Sequence, residues 1–111
     1  MTLRDIEAVV AQYERHGWQL ERLCISTRLR HLFNGNDTSL SSITRIESDL
    51  DAGWFSRPSQ PGKTTWELRL LNEAYAIDVF LSDDASDDEN ADILENALEM
   101  VRTSRKAVIG N

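Results

Sequence analysis

Residues 64–71 read "TTWELRLL" and residues 75–82 read "YAIDVFLS". Apolar side chains recur at every second position, the period of a strand with one face buried. The short gap between the two runs demands antiparallel pairing. With Asn72 and Glu73 as the turn, Trp66 faces Val79, Leu68 faces Ile77 and Leu70 faces Tyr75 on one side of the sheet. The other side receives Thr65 with Phe80, Glu67 with Asp78, Arg69 with Ala76, and Leu71 with Ala74. A slip of one residue would turn one strand's apolar set toward the wrong face, so the match fixes the register.

A further strand is predicted over 48–57, ahead of a loop carrying Pro58 and Pro61, which have no N–H to give a ladder. Pairing across that loop sets Trp54 opposite Trp66, Ala52 opposite Leu68 and Leu50 opposite Leu70. The same pairing sets Asp51 opposite Arg69, Gly53 opposite Glu67 and Phe55 opposite Thr65. Residues 18–33 suit either a strand or a helix. Gly17 breaks the preceding element, and Cys24, Ile25, Ser26 and Thr27 are poor helix formers, which favours a strand over 18–26 and a helical turn near 27–33. "NGNDTS" over 34–39 reads as a loop.

Helical periodicity governs the two ends of the chain. Over 2–16, Leu3, Ile6, Val9, Val10 and Tyr13 share one face, Thr2 can cap the start, and Gly17 suits the C′ position. Ser86-Asp87-Asp88-Glu89 matches a capping box. The helix it opens runs to about 107 with Ile93, Leu94, Ala97, Leu98, Val101 and Val108 as its stripe. Arg102, Arg105 and Lys106 stand near its negative end, and Gly110 suits the chain exit. The expected architecture is a single α+β domain over 1–111. An antiparallel sheet of three to four strands packs against two amphipathic helices, in the order helix-strands-helix, as a two-layer sandwich. That order resembles the double-stranded-RNA-binding fold in outline, and small acidic secretion chaperones are a looser likeness.

Charge narrows the function classes. The formal net charge is −7. Residues 1–46 hold six Arg against five acids, and residues 47–111 hold six bases against fourteen acids. A nucleic-acid binder needs a basic stripe to displace counterions from phosphates, and the C-terminal two thirds would repel a polyanion. This argues against the RNA binding that the first resemblance implies. No run approaches the 18 or so apolar residues of a membrane span, and "MTLRDIEAVV" lacks the pattern of a secretory signal. The lone Cys24 fits a reduced, cytoplasmic setting.

Candidate chemistry gathers on the second sheet face, with Asp51, Glu67, Arg69 and Asp78 among Phe55, Leu71 and Phe80. Two Phe and a Leu are too apolar for a solvated face, so either residues 18–33 or a partner cover it. The leading expectation is a small acidic interaction module without a cofactor. It binds protein, itself as a homodimer or another chain, through that face, with the apolar residues as anchors and the charged ones around them. The alternative is a divalent-metal-dependent enzyme with Asp51, Glu67 and Asp78 as ligands. Asp51 with Glu67-Leu68-Arg69 has the outline of a nuclease D…E-x-K pattern. That pattern is short and frequent by chance, and Arg in place of Lys is a poor base. "SDDASDDEN" lacks the spacing of a calcium loop and reads as a connection and helix start. His16, His31 and Cys24 lack the spacing of a zinc site, and Cys24 reads as a small buried hydrophobe.

Overall fold

The computed structural model describes the backbone of residues 1–35 and 40–109 and the side chains of 1–35 and 40–104. Helix α1 (Leu3–Arg15) leads into β1 (Gln19–Ile25), followed by a short helix α2 (Thr27–Arg30) and a 3₁₀ turn, His31–Phe33. Then come β2 (Thr44–Glu47), β3 (Ala52–Gln60), β4 (Lys63–Leu70), β5 (Ala76–Ser82) and α3 (Asp87–Ile109). Residues 36–39 of the predicted loop, the side chains of Arg105, Lys106 and Val108, and Gly110 lie outside the described residues.

The sheet has five strands in the order β2-β1-β3-β4-β5. The expected all-antiparallel sheet of three to four strands is corrected to a mixed one, because β2 pairs parallel with β1. Parallel neighbours need a long crossover, and residues 26–43 supply it. Expectation and structure agree residue for residue in the β4–β5 register, including Trp66 with Val79 and Glu67 with Asp78. Along β3 the register lies two residues from the expected one. Ala52 pairs Leu70, Trp54 pairs Leu68 and Ser56 pairs Trp66. The difference arises at the hairpin, where Pro58 belongs to the strand, opposite Thr64, and a bulge follows between Pro58 and Gln60. A two-residue offset keeps every side chain on its expected face. Trp54 and Trp66 therefore still meet as diagonal neighbours, edge to face with ring centroids 6.1 Å apart.

The two-layer expectation is corrected to three layers. Trp54 and Phe55 are successive residues of β3, so they point to opposite faces, and both are buried. Phe55 joins Ile6 and Val10 of α1, Leu20, Leu23 and Ile25 of β1, and Leu29 and Leu40 of the crossover. Trp54 joins Leu68, Leu70 and Leu81 of the sheet with Leu94, Ala97 and Val101 of α3. A bulge at Glu21 places Leu20 on the same face as Leu23 and Ile25.

Both long helices start as their sequences dictate. Thr2 and Asp5 form a reciprocal capping box on α1, and the Ser86 hydroxyl accepts from the Glu89 N–H at 3.1 Å on α3. Gly17, with φ of 86°, turns the chain out of α1 into β1. None of the described helices is long and apolar enough to cross a membrane. Gly53 lies under Phe55, and a Cβ there would come 2.9 Å from the ring. Phe55 is fully buried and has no room to yield. Gly53→Ala is expected to lower stability by about 1–3 kcal/mol, read as a lower denaturant midpoint with an unchanged m-value.

Candidate functional site

Helix α1 covers β1 and β3 but stops short of the outer strands. On its side of the sheet β4 presents Thr65, Glu67 and Arg69, and β5 presents Ala76, Asp78 and Phe80. Tyr13, at the end of the α1 stripe, stacks on Phe55 with ring centroids 4.1 Å apart, and Trp18 tilts against Tyr13 at 6.0 Å. Between this aromatic end of α1 and the β4–β5 hairpin runs a groove of about 400 Å³. Gln12, Tyr13, His16 and Trp18 line one wall, and Glu67, Arg69 and residues 74–76 line the other.

Glu67 is the chemical centre of the groove. The Tyr13 hydroxyl donates to its Oε2. Asp78 stands directly opposite on β5. Desolvation, then a hydrogen bond and charge repulsion from Asp78, push the Glu67 carboxyl up to about 7, with Tyr13 pulling the other way. Near neutral pH the protonated carboxyl can therefore donate to Asp78 while accepting from Tyr13. Burial, aided by Glu67, also raises the Tyr13 phenol well above its usual range, so it stays a donor. Arg69 does not intervene between the carboxylates. Its guanidinium donates to the carbonyls of Leu70 at 3.2 Å and Glu73 at 2.9 Å, bracing the turn into β5.

The other sequence-derived candidates separate. Asp51 lies beyond the level of Glu67 and is 5% exposed. Its Oδ1 accepts from the Ser26 N–H at 2.6 Å, its Oδ2 accepts from the Ser26 hydroxyl at 3.0 Å, and Arg28 approaches Oδ2 at 3.5 Å. It thus ties the start of α2 to the sheet. Phe55 and Leu71 are covered by α1 and the crossover, whereas Phe80 is 67% exposed. The proposed ligand set of Asp51, Glu67 and Asp78 is therefore reduced to the Glu67–Asp78 pair, and no three His, Cys, Asp or Glu side chains among the described residues are grouped to hold a metal ion. Cys24 is 2% exposed under α3, and burial pushes its thiol up to about 11, so it stays protonated and inert.

Tyr13 was legible in the sequence only as part of an apolar stripe. Its hydroxyl was the available signal, because a half-buried phenol needs a hydrogen-bond partner. No family model, no curated protein and no solved structure matches this chain.

Two measurements test these assignments. Asp51→Ala leaves the part-buried Ser26 N–H and hydroxyl without their acceptor and is expected to destabilise by about 1–3 kcal/mol in a denaturant titration. Glu67 binds its proton more tightly in the folded state, since its carboxyl lies above the reference value of 4.5. The stabilisation it gives is full below that value and is lost as pH rises through about 7. Gln at this position mimics the protonated form, accepting from Tyr13 and donating to Asp78. The melting temperature of Glu67→Gln relative to wild type should therefore rise from about pH 5 to about pH 8.

Proposed function

We propose that this chain is a small acidic protein-interaction module. It docks a protein, a second copy or another chain, on the β4–β5 margin of the face that α1 leaves open. One observation carries the reading: Phe80 is 67% exposed on a face whose other large apolar residues, Phe55 and Leu71, are buried. An exposed aromatic that shares its sheet face with charged side chains has the composition of an interaction hot spot with a polar surround. Phe80 is the anchor, and Asp78, Glu67 and Arg69 are the surround. A cytoplasmic setting accords with the lone buried thiol, and the acidic balance disfavours nucleic acid as the partner.

Phe80→Asp places a charge where no core contact is lost, so its melting temperature is expected to stay close to that of wild type. Assembly in light scattering, or capture of a partner, should weaken by about tenfold or more, as for an anchor residue. A variant that leaves both assembly and partner capture unchanged overturns the reading.

A further inference from the structure

Strand β5 is one edge of the sheet. Two hydrogen bonds fix which of its backbone groups face outward: Leu70 N–H to Tyr75 O, and Asp83 N–H to Gly62 O, both 2.9 Å. Antiparallel pairs alternate between bonded and non-bonded, so Ile77, Val79 and Leu81 bond to β4. Asp78 and Phe80 therefore direct their N–H and C=O groups away from it, to the open edge. Edge strands are ordinarily blunted by Pro, Lys, bulges or shortness. The opposite edge, β2, has four residues, two of them Arg45 and Glu47. Strand β5 has seven residues, a single charge at Asp78, no Pro, no Lys and an unbroken register.

Helix α3 extends the same margin. Arg102 reaches back to Asp49, at the β2–β3 side of the molecule. Ile93 lies about 180° around the helix from Arg102, and Met100 lies beside Ile93, so both occupy the flank toward β5. They are 37% and 68% exposed. A foreign strand added to β5 would pair its backbone but leave this helical flank bare. A second copy supplies strand for strand and helix for helix.

Resting on the interaction reading above, we infer that the partner is a second copy of this chain. The two β5 strands pair antiparallel about a two-fold axis at Val79, which joins the sheets and sets the α3 flanks side by side. Symmetry and chemistry select that register. Centring on Asp78 would oppose two carboxylates. Centring on Phe80 would require the Ser82 carbonyl, which already accepts from the Ala85 N–H and the Asn90 side chain. Centring on Ile77 would leave Phe80 beyond the start of its partner strand at Ala76. Centring on Val79 pairs Asp78 with Phe80 of the second copy through outward groups that do not involve Ser82, and calls on Ser82 only in the outermost pair, with Ala76. It also sets Val79 against Val79 and Ile77 against Leu81 on the α3 side.

Sedimentation of the purified chain over a dilution series tests this, with three variants. Wild type should sediment as a concentration-dependent dimer. Asp78→Pro removes an outward N–H without touching the β4 ladder, two per dimer, and should weaken self-association by about tenfold or more. Asp78→Ala keeps that N–H and loses only a side chain of the surround, so it should weaken self-association much less than Asp78→Pro. Val79→Cys places two thiols at a close non-bonded pair and should cross-link under mild oxidation. A monomeric wild type overturns the pairing, and so does a dimer that survives Asp78→Pro while Val79→Cys stays uncross-linked. The broader interaction reading stands or falls separately, on the Phe80→Asp variant.

Discussion

Strand β3 carries Trp54 and Phe55 side by side, and the pleat sends them to opposite faces. Both are buried, so neither face of the central sheet can be left to water. Helix α1 with the crossover is assigned to Phe55, and α3 to Trp54. Most of the architecture follows from that division. A short chain must spread two helical layers over five strands, and its cover runs out at the outer strands on one side. The groove and the exposed Phe80 lie where it runs out.

Strict alternation in β4 and β5 made their pairing readable, because the apolar match fails in any adjacent register. The same logic could not see the two-residue offset along β3, since such an offset preserves both faces. Only the conformation around Pro58 and Gln60 decides it. Strand β2 left no hydrophobic signature: Thr44, Arg45, Ile46 and Glu47 are all exposed, and the strand is held by ladder bonds to β1. The apolar content of the second face did signal a cover, and Phe55 and Leu71 lie beneath one. Which residues supplied it was not readable, because a helix stripe does not say which face of a sheet it meets. Asp51 was correctly placed on its face, but its ties to Ser26 and Arg28 depend on a chain reversal that no local pattern encodes.

The Tyr13–Glu67–Asp78 chain joins elements that packing alone leaves apart. It links the end of α1, through β4, to the edge strand β5. Local charge and the position of α1 are thereby coupled at the margin proposed for docking. A partner seated on β5 would sense the protonation of a carboxyl one strand away, and would in turn alter its desolvation.

That carboxyl also changes how the whole molecule is counted. The formal charge of −7 treats every acid as ionised. With its carboxyl pushed up to about 7 beside Asp78, Glu67 is partly protonated near neutrality, so the average charge is less negative than the formal count. Small changes of acidity around neutrality then alter the protein's charge through a residue type that ordinarily contributes no buffering in that range. A carboxyl thus takes the part in neutral-range titration that is usually left to histidine.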